Sequence, residues 1–227
     1  MKNAILASAA GLAVLAVASP ALAQADDMPI RPTKMLSVES AGTLPEGANL
    51  VSFSGSDFQY YRGLTDRLQI EVGTGGLSFF SPTQMSLRAQ AKYDIFEAGP
   101  VTVGGGLGAN TMLPGSGEVG YGGTVFAPVS FAAFPGLSLN LVPRFSYDKV
   151  AHAGLELGLA YALLPDVLAI AEDHVSDFGA IQHDVLVGSA YTGFGPRTTL
   201  AFGLLSGQGT ATRPYALGFG TTLHHGF

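Results

Sequence analysis

Hydrophobic and polar residues alternate with a period of two along most of the chain after Ala48. Between Met85 and Phe96 the odd positions are apolar and the even positions are polar: Met85, Leu87, Ala89, Ala91, Tyr93 and Ile95 against Ser86, Arg88, Gln90, Lys92 and Asp94. Side chains of a β-strand point alternately to the two faces of a sheet, so this stretch predicts a strand with one apolar face and one wet face.

The same alternation recurs along the chain and predicts twelve strands, with ten as the nearest alternative count. The facing of residues 166–176 is ambiguous and stays open. The predicted strands are Asn49–Ser54, Phe58–Arg62, Arg67–Gly75, Met85–Phe96, a strand carrying Val101 to Leu107, Val119–Phe131, Leu137–Tyr147, Leu155–Leu163, Val167–Val175, a strand carrying Asp184 to Tyr191, one carrying Arg197 to Leu204, and Arg213–Phe227.

Composition decides what the apolar faces meet. Of the 227 residues 47% are hydrophobic and only 12% are charged, whereas an ordinary soluble domain has about a quarter charged residues. After the N-terminus the chain has no run of ~20 apolar residues that would suit a membrane helix. In lipid the remaining solution is a closed barrel, so the sequence predicts an all-β fold, a transmembrane antiparallel up-and-down β-barrel.

Connections and aromatic residues support the barrel over a soluble β-sandwich. Short turns alternate with longer Gly-rich or polar connections, which are typical of the periplasmic and outer ends of bacterial barrels. The outward aromatic residues gather at both strand ends and predict two girdles, which a sandwich does not. They are Tyr93, Phe131, Tyr161, Tyr191 and Phe227 at the inner end, and Tyr121, Phe145, Tyr147 and Tyr215 at the outer end.

The N-terminus predicts export. Residues 1–23 have a basic Lys2, an apolar stretch and a small-residue cleavage site ending at Ala23, as in a signal peptide; a membrane-anchoring helix is the alternative. Residues 24–47 are predicted as a periplasmic lead-in, with plugging of the lumen as the alternative, and residues 48–227 as the barrel. Without Lys2 the formal net charge goes from −6 to −7, and the absence of a basic stripe argues against nucleic acid as a partner.

The charged residues within the strands are expected to line the lumen. A charge on the lipid face costs about 2 to 4 kcal/mol for Arg or Lys near mid-membrane, so the alternation places these side chains inward. They would either tune the selectivity of a polar pore or bridge opposite walls of a packed lumen. The predicted lumen-lining residues are Glu71, Arg88, Gln90, Lys92, Asp94, Asn140, Arg144, Glu156, Asp184 and Arg197, together with Gln69.

Other candidate chemistry is weaker. The run Asp173-His174-Val175-Ser176 resembles the His-x-Ser arrangement of outer-membrane lipid A deacylases, and His174 and Ser176 share a strand face. His224 and His225 are strand neighbours that point to opposite sides and cannot chelate one metal together. No metal site, cofactor or catalytic residue is predicted.

Three segments carry a family resemblance: residues 41–47, residues 61–68 and the closing stretch from Leu200 to Phe227. They resemble a diffuse family of small Gram-negative outer-membrane barrels that are described as transporters linked to phenol-degradation pathways. The terminal strand also resembles the signal by which outer-membrane proteins are recognised for insertion, with Tyr215, Phe219, Leu223 and Phe227 as its residues. The resemblance implies the Gram-negative outer membrane, with its lipid and its barrel assembly machinery as partners.

The expected function is a small passive channel or transporter for a modest-sized solute. The alternatives are a non-conducting structural or surface-interaction barrel and, more remotely, a lipid-modifying hydrolase. A continuous lumen would favour the first over the second, and convergence of His174, Ser176 and an acid would favour the third.

Overall fold

A computed structural model describes residues 38–54, 57–75, 84–114, 119–164, 167–177, 181–191, 198–207 and 216–226. Among the side chains after Val175 only those of Leu200, Leu223 and His225 are described. The predicted signal peptide, 1–23, and the first part of the predicted lead-in lie outside these residues. No helix in the described ranges is long and apolar enough to cross a membrane.

The described residues form thirteen strand segments. In chain order they are β1 Asn49–Ser54, β2 Asp57–Thr65, β3 Leu68–Gly75, β4 Gln84–Ala98, β5 Val101–Pro114, β6 Gly120–Phe126, β7 Val129–Phe134, β8 Leu137–Tyr147, β9 Ala151–Leu164, β10 Val167–Asp177, β11 Ile181–Tyr191, β12 Thr198–Gly207 and β13 Ala216–Gly226.

These segments close into one antiparallel ring. Each segment pairs with its neighbour in sequence order or across the β6–β7 break, and the last, β13, pairs with β1. Segments β6 and β7 share one place in the ring, because both lie between β5 and β8. The ring formed by the described residues therefore has twelve strand positions, as the sequence predicts.

The break between β6 and β7 follows from a proline. Pro128 has no amide hydrogen to donate to a ladder, and its side chain is fully buried in the ring. The neighbouring backbone stays bonded: the Gly104 amide donates to the Pro128 carbonyl at 2.8 Å, and the Ala127 amide donates to the Pro143 carbonyl at 3.1 Å. The wall is thus continuous, although the predicted single strand Val119–Phe131 is divided in two.

One end of the ring carries two-residue turns, at 66–67, 99–100 and 135–136. We call this the turn end, and the opposite end, where β8 leads through residues 148–150 into β9, the loop end. The turn after β2 begins later than the predicted Gly63–Asp66, because β2 continues to Thr65 through an irregularity in its pairing with β3. Both chain ends of the sheet, Asn49 and Gly226, lie at the turn end.

Apolar side chains cover the outside of the ring. Leu107, Tyr121, Val125 and Ile95 are between 57% and 74% exposed. Polar side chains of β3 and β4 are buried inside, with Gln69 at 1% and Lys92 at 1% exposure. This inside-out distribution is the one expected of a barrel whose outer face meets lipid.

Strand β10, whose facing the sequence leaves open, turns Leu168, Ile170 and Glu172 inward, where all three are buried. Its outward positions Ala169 and Ala171 pair in register with Tyr161 and Leu159 of β9. An inward apolar pair means that the lumen at this level is dry. The lumen is dry here because a segment of the chain that precedes β1 lies inside the ring.

Candidate functional site: the barrel lumen

Residues 38–47, here called the luminal segment, run inside the ring from Val38 to Leu44 and reach its turn end, where residues 45–47 are exposed. Val38 and Ala41 are 0% exposed and Leu44 is 2% exposed. The sequence predicts a periplasmic lead-in for 24–47 with a luminal plug as the alternative, and the described part occupies the lumen. The segment enters β1 through Ala48, whose amide donates to the Pro45 carbonyl at 3.0 Å.

Side chains of the wall bond the backbone of the luminal segment. The Leu44 amide donates to Oε1 of Gln69 at 3.0 Å, and the Ala41 amide donates to Oγ of Ser130 at 2.7 Å. The Val38 amide donates to Oε1 of Glu172 at 3.2 Å. Buried amides outside a ladder need such partners, so three different strands of the wall hold the segment in place.

Strand β4 supplies the charged contacts to the same segment. The Lys92 ammonium lies 3.5 Å from Oε2 of Glu39 and donates to the Ser40 carbonyl at 3.0 Å. The Gln90 amide nitrogen reaches Glu39 Oε1 at 3.5 Å and Glu71 Oε2 at 3.3 Å. Glu39 and Lys92 are both buried, so each charge depends on the other for stabilisation.

Arg88 continues this row towards the loop end. Its Nη2 lies 2.9 Å from Oε1 of Glu71, and its side chain is 38% exposed. Along the inward face of β4, the buried ammonium of Lys92 is therefore followed, towards the loop end, by the solvent-accessible guanidinium of Arg88. Polar contacts thus run along one strand from the closed part of the lumen into the open part.

Two apolar clusters complete the filling of the turn end. Val38 packs with Phe126 and Val142, and Leu44 packs with Leu50 and Tyr61. The Tyr61 hydroxyl donates to Oε1 of Gln59, so its polar tip is also satisfied inside the ring. At this level the described side chains leave the lumen dry.

The boundary between the dry and wet parts is a junction of charged groups on β8, β9 and β10. Arg144 makes two bonds to Glu156, with Nε to Oε1 at 2.7 Å and Nη2 to Oε2 at 3.3 Å. Its guanidinium carbon lies 5.1 Å from the ring centroid of Phe126, within the range of a cation–π contact. Nδ1 of His174 lies 3.9 Å from Glu156, and its Nε2 lies 3.7 Å from Glu172.

This junction contacts the luminal segment twice. Glu172 bonds the Val38 amide, and Phe126 packs on the Val38 side chain. Arg144 is linked to both through Phe126 and through the Glu156–His174 pair. A change at Arg144 can therefore reach the end of the luminal segment through direct contacts.

Beyond the junction the lumen opens into two cavities, here together called the outer chamber. The larger has a volume of about 380 Å³ and the smaller about 110 Å³; Asn110 lines both. Polar residues that line the larger are Thr124, Arg144, Ser146, Asp148, His152, Glu156 and His174. Those that line the smaller, besides Asn110, are Asp57, Thr74, Ser86 and Arg88.

Most of the predicted lumen-lining residues are brought together in this way. Asn140 accepts a hydrogen bond from Ser130 under the luminal segment, and Asp94 pairs in register with Gly104 near the turn end. The side chains of Asp184 and Arg197 lie outside the described part of the chain. The Asp184 backbone is opposite His174 in the β10–β11 ladder, so it belongs to the same level as the junction.

Sequence reasoning missed Glu39, Glu172 and Asp57 as lumen residues. Glu39 lies in a segment without periodicity, and Glu172 follows inward apolar residues that hide its facing. Asp57 precedes the predicted start of the second strand. Asp57 shares its strand face with the inward Gln59, so a predicted strand that began one residue earlier would have placed Asp57 in the lumen.

The structure describes the His-x-Ser arrangement at its histidine but not at the serine side chain. His174 faces the lumen between Glu156 and Glu172, and Asp173 is on the opposite strand face. The Ser176 side chain is outside the described residues. A histidine that faces the lumen is separated by the wall from lipid around the barrel.

No protein-family model matches the sequence, and no curated protein matches it. Solved structures do. An outer-membrane channel from Pseudomonas putida F1 is 14% identical with a TM-score of 0.58, over 82% of this chain and 97% of that one. The fold is that of an outer-membrane channel barrel.

Two further channel structures share this barrel. The KdgM porin is 11% identical with a TM-score of 0.57, over 79% of this chain and 98% of that one. The NanC porin is 12% identical with a TM-score of 0.54, over 78% of this chain and 97% of that one. Each of these structures is matched over nearly its whole chain by about four fifths of this chain, and at this identity the likeness concerns the fold.

Proposed function

We propose that the protein resides in the Gram-negative outer membrane and forms a small passive channel for a modest-sized solute. The observation that carries the proposal is the closed ring with an exposed apolar outside and a polar chamber inside. Barrels of this build cross membranes because every backbone group pairs within the ring. A structure of the KdgM porin, another barrel of this fold, is in complex with disordered oligogalacturonate, which supports passage of a solute through such a ring.

Conduction requires that the luminal segment leave its place. The dry clusters around Val38 and Leu44 fill the turn end, whereas the outer chamber is accessible to water. Residues 38–47 form no strand: apart from an isolated β-bridge at Glu39, the described contacts of the segment include individual hydrogen bonds, a buried ion pair and apolar packing. Such contacts can be broken without opening the ring.

The test is single-channel conductance of the refolded mature chain in planar bilayers, repeated with Arg144→Ala and Glu156→Ala. Discrete conductance steps, with a changed ion selectivity in both variants, support a pore lined by these residues. Complete silence of a chain that migrates as a folded barrel on heat-modifiable gels contradicts the channel.

A second candidate is a non-conducting structural barrel, which the filled turn end favours. In that case the ion pairs of the lumen serve to bridge the walls. Deletion of residues 24–47 separates the two functions, because a plugged channel gains conductance and a structural barrel loses stability without gaining any.

The finer expectations from the sequence belong to the same proposal. Residues 1–23 are a signal peptide cleaved near Ala23, and Tyr215, Phe219, Leu223 and Phe227 form the signal for the assembly machinery. A link to phenol degradation rests on the resemblance of short segments. Cleavage is tested by the mass of the protein purified from outer membranes.

A further inference from the structure

The described inward residues of the lumen divide by chemistry according to level. Inward apolar side chains such as Phe126, Val142 and Ile170 lie around the luminal segment. The inward side chains that line the larger cavity, by contrast, are polar: Thr124, Arg144, Ser146, His152, Glu156 and His174. A solute in the outer chamber therefore meets these hydrogen-bonding groups, beside the apolar surface that Tyr147, Ala153 and Val175 contribute to the larger cavity.

Charges in the outer chamber are already matched. Arg144 is held by both oxygens of Glu156, and Arg88 is paired with Glu71. His152 Nε2 lies 3.2 Å from Asp148 at the rim. A charged solute would have to separate one of these pairs, whereas an uncharged solute can use the hydrogen-bonding positions that the pairs leave over.

Some of those positions have no hydrogen-bond partner among the described residues. Nε of Arg88 and Oγ1 of Thr74 are buried without a hydrogen bond, and both residues line the smaller cavity. Arg88 Nε can only donate, and a threonine hydroxyl can donate or accept. In the larger cavity the Thr124 and Ser146 hydroxyls are hydrogen-bonded to each other at 3.1 Å, which leaves one O–H donor and further acceptor lone pairs for a solute.

We propose that the outer chamber is a binding site for a small, uncharged, hydroxyl-rich solute such as a monosaccharide or alditol. Hydroxyl groups both donate and accept, as do the groups that surround the chamber. The larger cavity, about 380 Å³, corresponds to about a dozen water molecules, which leaves room for a single sugar ring. The inference deepens the proposed channel function, but binding itself does not require conduction.

The same features disfavour other solute classes. A phenol or other aromatic solute would find only Tyr147 and Val175 as aromatic and branched aliphatic residues among the described lining, and both have the outward parity of their strands. An organic anion would meet the carboxylates of Asp57, Asp148 and Glu156. An organic cation would meet the guanidinium groups of Arg88 and Arg144.

The test is isothermal titration calorimetry of the complete mature barrel. The detergent should be an amine oxide, because the head groups of maltoside and glucoside detergents are themselves sugars and would compete for the site. Glucose, arabinose and mannitol are titrated beside phenol, benzoate and choline. We expect saturable binding of at least one of the first three probes and none of the others. The double variant Thr124→Val/Ser146→Ala and the variant Arg88→Lys should each weaken that binding about tenfold or more.

Arg62→Lys is the matched control for Arg88→Lys, because Arg62 is exposed and has the outward parity of β2. It should leave binding unchanged. Saturable binding of phenol, benzoate or choline alone, or no binding of glucose, arabinose or mannitol to the folded barrel, overturns the inference. Conductance without sugar binding removes only this inference, and sugar binding without conductance removes only the channel.

Discussion

Lys92 shows how a single residue couples the wall to the luminal segment. Its side chain is 1% exposed, yet it carries an ammonium whose partners, Glu39 and the Ser40 carbonyl, both belong to that segment. A buried charge without its partner is strongly unfavourable. Removal of either partner alone should therefore destabilise the closed lumen.

Glu39→Gln should loosen the luminal segment. Loss of one partner of a buried pair typically costs about 3 to 5 kcal/mol, so the amides of Ala41 and Leu44 should exchange with deuterium markedly faster. Mass spectrometry of the exchanged protein measures this. Glu97→Gln, at an exposed end of β4, is the control and should not change exchange.

The double variant Glu39→Gln/Lys92→Met distinguishes an electrostatic cause from a packing defect. With both charges removed, the segment should regain most of its protection. Exchange as fast as in the single variant would show that the pair is not what holds the segment.

Gly63 is a second residue that fixes the path of the luminal segment. Its carbonyl accepts from the Gly47 amide at 2.9 Å, and an added Cβ would lie 2.6 Å from the Leu44 carbonyl oxygen. The close approach of two backbones therefore requires glycine here. Gly42, in the segment itself, has nothing within 4 Å of an added Cβ.

Gly63→Ala should lower the temperature at which the barrel loses its folded gel mobility, whereas Gly42→Ala should not. Overpacking of this kind costs about 1 to 3 kcal/mol, because the luminal segment has to shift away from β2. Equal temperatures for the two variants would contradict the close approach.

At the scale of elements, alternation in the sequence was sufficient to predict the facing of side chains in strands whose two faces meet different media. Strand β4 is predicted residue by residue because lipid lies on one side and polar groups lie on the other. Strand β10 is not, since Leu168 and Ile170 face a dry lumen and resemble lipid-facing residues in type. The path of the luminal segment was equally hidden, because its contacts, such as Val38 with Glu172, join residues 134 positions apart.

The terminal strand tests closure of the ring. Leu223 of β13 is 37% exposed on the outer face and pairs in register with Phe53 of β1 and Leu200 of β12. Leu223→Arg should make the free energy of folding into the membrane less favourable by up to about 2 to 4 kcal/mol at mid-membrane and by less near the interface. A smaller fraction of the chain should therefore fold. Val150→Arg, at an exposed loop-end position, should fold normally; equal folding yields in lipid vesicles would place Leu223 outside the apolar band.

At the scale of the whole molecule, the closed state can be locked. The chain has no cysteine, so Ala41→Cys/Ser130→Cys introduces a single thiol pair where the Ala41 amide and Ser130 Oγ are 2.7 Å apart. The oxidised variant should be silent in planar bilayers and should gain wild-type conductance on reduction. Either single-cysteine variant is the control, and conductance of the fully oxidised pair would show that ions pass without movement of the segment.

Opening also changes the charge of the pore, because Glu39 leaves with the luminal segment and Lys92 becomes accessible. Among the described inward side chains, acids still outnumber bases, so a variant lacking residues 24–47 should prefer K⁺ to Cl⁻ in reversal-potential measurements. Glu172→Gln should reduce that preference and Lys92→Gln should increase it, since each removes one charge of known sign from the wall. A preference for Cl⁻, or equal shifts from both substitutions, would mean that these residues do not line the open path. The acids concerned are Asp57, Glu71, Asp94, Glu156 and Glu172, against Arg88, Lys92 and Arg144.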